Sequence, residues 1–142
     1  MDSISCEINF KIVTKPEEPY TELALSQVDG NLNIRNAGVL IFNEDDICLA
    51  EFAAKLSAWL CEGYPRELFI YESMDYEEPY IIMLEAFDGD GAYLSSPWMN
   101  DGISSPLVIR LGDFIIAARL FLNKFEEELS NISSIYCYKV RD

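Results

Sequence analysis

Seven carboxylates fall within the stretch "YESMDYEEPYIIMLEAFDGDG", Tyr71 to Gly91, with no Lys, Arg or His among them. They are Glu72, Asp75, Glu77, Glu78, Glu85, Asp88 and Asp90. Carboxylates at such density can do three kinds of work. Two with pKa values pushed apart can act as acid and base in glycoside cleavage. Several can hold a hard cation. An unbalanced set can grip a positively charged partner.

The first two uses find little support in the neighbouring residues. Glu72 and Glu85 fall on adjacent predicted strands and could face each other, but two exposed edges explain like charges there equally well. In "DGDG", Asp88 and Asp90 match the start of a calcium loop, but the residues from Tyr93 onward do not continue it. Asp and Gly tolerate positive φ, so this segment reads as a hairpin turn. The chain contains no histidine, so the commonest general base and metal ligand is missing.

Cys6, Cys48, Cys61 and Cys137 are scattered, without a C-x-x-C pair or a His partner. They read as reduced, mostly buried thiols. No G-x-S-x-G or Gly-rich phosphate loop occurs. "NIS" at Asn131 matches a glycosylation sequon, which has no role in a cytosolic chain. The expectation is a protein without catalytic residues, cofactor or metal, and not an enzyme.

The third use fits the composition. Net charge is −15, and the pI is near 4.2. Such a chain is repelled by nucleic acid and by anionic membrane surfaces, and its natural partner is a basic protein. From Glu67 to Ile109 there are nine acidic residues and no basic one. Among them stand Tyr71, Tyr76, Tyr80, Tyr93, Trp98 and Met99, side chains favoured at interface hot spots. The expected contact surface is Glu72, Asp75, Tyr76, Glu77, Glu78, Asp88 and Asp90. The plainer alternative makes Tyr80 and Tyr93 core residues and the acids a means of keeping a sheet edge soluble.

Hydrophobic periodicity supplies the elements that would position these residues. "SISCEINFKIVT" alternates as a half-buried strand, with Ile8, Phe10 and Ile12 on one side. "TELALSQ" resumes the alternation before a turn signal at "VDGN". "NLNIRN" and "AGVLIF" are two extended pieces, or one strand bent at Gly38. A helix is predicted over about 46–62, with Leu49, Phe52, Ala53, Leu56, Trp59 and Leu60 on its apolar face, capped by Asp45 or Asp46. Glu51 and Lys55 fall on its solvated face.

Strands in "ELFIYES", "PYIIMLEAF", "AYLSSPW" and "LVIRL" form a meander over 67–110. A second helix over about 113–130 buries Phe114, Ala117, Ala118, Phe121, Leu122, Phe125 and Leu129, with Asp113 as its cap. The tail at 133–140 alternates weakly and reads as an edge strand. The class is α+β: a single domain over 1–142, with one antiparallel sheet of about six to eight strands and two amphipathic helices packed on it. No apolar run approaches the span of a bilayer, and the first residues lack the pattern of a signal peptide. The expected location is the cytoplasm.

Three segments together resemble the WapI-like immunity proteins, small acidic proteins encoded beside the polymorphic, contact-dependent toxins of bacteria. They are "GVLIFNEDDICLAEFAAKLSAWL", "LFIYESMDYEEPYIIMLEAFDGDGAYLSS" and "PLVIRLGDFIIAARLFLNKFEEEL". The likeness lies in element order, spacing and apolar anchors over roughly residues 21 to 129. It implies a stoichiometric inhibitor that binds the C-terminal domain of a cognate toxin, often a nuclease, without catalysis or cofactor. It assigns no individual binding residue. The alternative is an acidic adaptor or accessory subunit that docks a basic protein of another kind.

Overall fold

The alternation in "CEINFKIVT" becomes strand β1, Cys6–Thr14, with Ile8 buried and Glu7, Asn9 and Lys11 exposed. The computed structural model describes residues 6–14, 28–61, 68–72, 77–87 and 90–132. The alternation expected in "TELALSQ" and the edge strand expected at 133–140 lie outside the described residues, as do Asp75, Tyr76 and Asp88.

β1 pairs antiparallel with β2, Asp29–Asn36, which pairs in turn with β3, Val39–Cys48. "NLNIRN" and "AGVLIF" therefore lie on two strands and not on one bent strand. Ala37 and Gly38 join them with φ of 54° and 82°. Two successive positive φ angles match the twist of a tight hairpin. "VDGN" is not a turn: Asp29, Gly30 and Asn31 belong to β2. A Cβ at Gly30 would collide with the Lys11 backbone, so glycine here serves a close strand approach.

Asp45 and Asp46 do not cap a helix; both lie on β3. Gly30 pairs with Ile47 and Leu32 with Glu44, so β3 carries one extra residue in this interval. Asp46, with φ of 62°, absorbs the bulge. Ile47 and Cys48 are thereby returned to the core, and helix α1, Leu49–Cys61, starts directly from the strand. The N–H of Leu49 donates to the Val28 carbonyl at 2.9 Å, so the segment leading into β2 satisfies a helix N-terminus that was expected to use its own aspartates. Glu51 is also not simply solvated: its Oε1 lies 3.4 Å from the Tyr71 hydroxyl.

β4 (Leu68–Tyr71), β5 (Ile82–Ala86), β6 (Gly91–Ser95) and β7 (Leu107–Arg110) form the expected meander, each paired antiparallel with the next. Helix α2, Leu111–Ile132, follows β7 without a loop. The class is α+β, as expected; among the described residues there are two helices, and seven strands that form sheets of three and four and not one sheet. In sequence α1 separates β3, the last strand of one sheet, from β4, the first strand of the other. Beyond β3, pairing among the described residues survives as a single bridge from Phe42 to Met99, with the Asn100 N–H on the Ile41 carbonyl.

One hydrophobic core joins both sheets to both helices. Its spine is a run of edge-on aromatic contacts. Phe10 of β1 meets Phe121 of α2 at 5.3 Å, and Phe121 meets Phe52 of α1 at 5.3 Å. Phe52 then meets Phe69 and Tyr71 of β4 at 6.2 and 5.3 Å. Each such pair adds about 0.5–1.5 kcal/mol beyond the area it buries.

Candidate protein-binding face

The two-residue period of a strand sends alternate side chains of the four-stranded sheet to opposite sides. Phe69, Tyr71, Ile82, Leu84, Ala92, Leu94 and Ile109 point inward and are buried. The register then fixes what points outward. Leu68 pairs with Glu85, Glu85 with Tyr93, and Tyr93 with Val108, one residue from each strand in a row across the sheet. Leu68, Tyr93 and Val108 are 45%, 40% and 58% exposed, so three of the four members of this row present apolar surface to solvent. Such contiguous apolar exposure marks interaction sites more often than isolated surface residues do.

Phe87 flanks the middle of the row, two residues beyond Glu85 along the chain. Its ring covers Gly91, where a Cβ would collide with it, and lies 4.5 Å from the Tyr93 ring. Beside it Arg110 Nε approaches Asp90 Oδ2 at 3.6 Å.

The outer face of the three-stranded sheet has a different character. Asn9, Asn33, Asn31 and Asn43 form a connected ladder of side-chain amides. Asn33 Nδ2 donates to Asn31 Oδ1 at 2.9 Å, and Asn31 Nδ2 donates to Asn43 Oδ1 at 2.8 Å and to Asp45 Oδ1 at 3.0 Å. Asn9 Nδ2 reaches Asn33 Oδ1 at 3.5 Å. These groups satisfy one another, and the exposed apolar side chains of this sheet, Val13 and Val39, stand near its opposite ends. Next to them the Glu44 carboxyl is raised above the usual carboxylate range, by burial first and then by the charge of Asp45.

The acids expected to form one contact surface are divided. Glu72 and Glu77 are exposed and Glu78 half-buried, in the connection between β4 and β5. Its ends are tied by the Ile81 N–H donating to the Tyr71 carbonyl at 2.8 Å. Asp90 stands at the opposite end of β5, before β6, where it is engaged by Arg110 and by the start of α2. Glu72 and Glu85 do not face each other: Tyr71 pairs with Ile82 and Leu68 with Glu85, which places the two acids at opposite ends of the ladder.

The expected aromatic anchors divide as well. Tyr71 is fully buried, and Tyr80, Trp98 and Met99 are half-buried. Tyr93 is exposed, against the reading that made it core. Leu68, Glu85 and Val108 were not singled out as contact residues. Their signal is the alternation within "LFIY", "IMLEA" and "LVIR", which acquires meaning only when register aligns the three strands.

Cys6 and Cys48 are free, buried thiols, as expected. Cys6 lines a groove between β1 and α2 with Ile8, Phe10, Ala117 and Phe121. Burial, with the nearby charges of Asp113 and Glu7, pushes its thiol up to about 12. A thiol in that state is a poor nucleophile. Among the described residues, no group of three or more Cys, Asp or Glu side chains is placed to hold a metal ion, and no helix is long and apolar enough to cross a membrane.

No curated protein and no solved structure matches this chain. Residues 8–131 match the family described as "Domain of unknown function (DUF7878)". The match runs from within β1 to the last turn of α2, and the chain belongs to that family.

Proposed function

We propose that this chain is a non-catalytic binding protein, an immunity protein that holds and neutralises a cognate bacterial toxin with a basic surface in the cytoplasm of the cell that makes both. The observation that carries this reading is the open row of Leu68, Tyr93 and Val108 with Glu85 inside it, on a sheet whose Glu72 and Glu77 stand exposed beyond the other end of the β4–β5 ladder. Among the described residues, no cation pairs with Glu72, Glu77 or Glu85. Apolar area supplies affinity, and unpaired acids supply attraction to Lys and Arg. With a net charge of −15, the chain would steer a basic protein toward it over a distance of about a Debye length. The resemblance to WapI-like immunity proteins supports the same reading.

Co-expression with the protein encoded immediately upstream tests it, scored by rescue of growth and by co-purification. Both are expected. Co-purification with a harmless product would assign the adaptor function instead, and failure of both readouts would remove the immunity reading.

A further inference from the structure

We infer that a basic protein partner docks on the outer face of the four-stranded sheet, with an apolar side chain against Leu68, Tyr93 and Val108 and a Lys or Arg on Glu85. This rests on the reading of the chain as a binder of a basic protein, and it moves the centre of contact from the acidic loop ends to the sheet face.

Register places Glu85 between Leu68 and Tyr93, each directly across from it on a neighbouring strand. Side chains so paired stand about 5 Å apart at Cβ. A carboxylate there has apolar walls on two sides and, among the described residues, no cation to neutralise it. A Lys or Arg of the partner can lay its aliphatic stem along Leu68 or Tyr93 while its head meets Glu85. The Tyr93 ring, exposed and braced by Phe87 at 4.5 Å, presents a second surface that suits a guanidinium.

Charge selects among possible occupants. A second copy of the chain would bring another charge of −15 and another Glu85 against the first. Nucleic acid would be repelled for the same reason. A protein surface that alternates cations with apolar residues meets both features of the face. The other sheet offers no equivalent row, because its outer amides are joined to one another and its exposed valines, Val13 and Val39, lie near opposite ends.

Two synthetic peptides of equal length, one alternating Arg and Leu and one of Lys only, are titrated into the intact protein at low salt while backbone amide resonances are recorded. The Arg–Leu peptide is expected to move Leu68, Glu85, Tyr93 and Val108, and to bind about tenfold more tightly than the Lys peptide. Glu85→Gln should weaken it about tenfold without moving the unfolding midpoint, since its side chain is exposed, whereas Tyr93→Ala should weaken it by as much and also lower the midpoint, because the ring packs on Phe87.

Shifts confined to Glu72, Glu77 and Glu78 would overturn the sheet-face site and leave the basic-partner reading standing. Absence of saturable, salt-sensitive binding by either peptide would overturn both. A chain that dimerises through Tyr93 and Val108 would assign the face to a second copy and overturn the proposal.

Discussion

The side chain of Asp90, in the turn before β6, caps helix α2 from across the chain: its Oδ1 accepts the N–H of Gly112 at 2.9 Å. The carbonyl of the same residue accepts the N–H of Leu111 at 2.7 Å. Two of the N–H groups that a helix start leaves without intrahelical partners are thus satisfied by one distant residue. Asp113, expected as the cap, lies inside the first turn instead.

Asp90→Ala should therefore act on stability and not on binding. Loss of a cap costs about 1 kcal/mol. Urea unfolding is expected to shift by that amount while affinity for a basic partner stays within a factor of about two, well below the effect of losing an interface anchor. A large loss of affinity with unchanged stability would return Asp90 to the contact surface.

Gly30→Ala tests the strand approach. A methyl group there meets the Lys11 backbone, which cannot move without disturbing the β1–β2 ladder. The expected cost is about 2–4 kcal/mol, of the order seen for overpacked cores and strained sites. Denaturant titration of the variant reads it directly. Gly38→Asn is the control: that glycine has φ of 82° with nothing near its missing Cβ, and Asn tolerates such a φ. It should lose little.

Phe121 connects the two sheets through Phe10 on one side and Phe52 on the other. Phe121→Ala should cost about 3–5 kcal/mol. The structure predicts a single cooperative transition, with signals from both sheets lost together. Separate transitions for the two sheets would show that the aromatic spine does not couple them.

Cys6 provides a pH-dependent test. Its thiol is pushed from an ordinary 9.0 to about 12 in the folded protein, by burial first and then by Asp113 and Glu7. A group raised in this way contributes stability that is fully present below 9.0 and is lost as pH rises toward about 12, because the unfolded chain gives up its proton first. At about pH 10, alkylation of Cys6 followed by mass spectrometry should be slow in the native protein and fast in denaturant. Equal rates would contradict the burial.

Much of the architecture was legible because strong periodicity survives context. The apolar faces carrying Phe52, Leu56 and Trp59, and Phe114, Phe121 and Phe125, are buried as their spacing predicts. The boundaries were less legible where pairing overrode local preference. Gly30 has turn chemistry but lies in β2 because β1 and β3 supply its partners, and Asp46 has cap chemistry but takes up the bulge of β3. The candidate site was the least legible part. The acids near Glu72 and Glu77 stand out by composition, whereas Leu68, Glu85, Tyr93 and Val108 come from four separate segments. Only the register brings them together.

The central claim, that an acidic, partly apolar face holds a basic protein, is tested most directly by titrating the purified upstream-encoded domain with the wild-type chain and with a Glu72→Lys, Glu77→Lys, Glu85→Lys variant, at salt from about 0.05 to 0.5 M. Wild-type affinity should fall as salt rises, and the variant should bind about a hundredfold more weakly at the lowest salt, with little remaining salt dependence. Equal affinities for the two chains, unchanged by salt, would contradict the account.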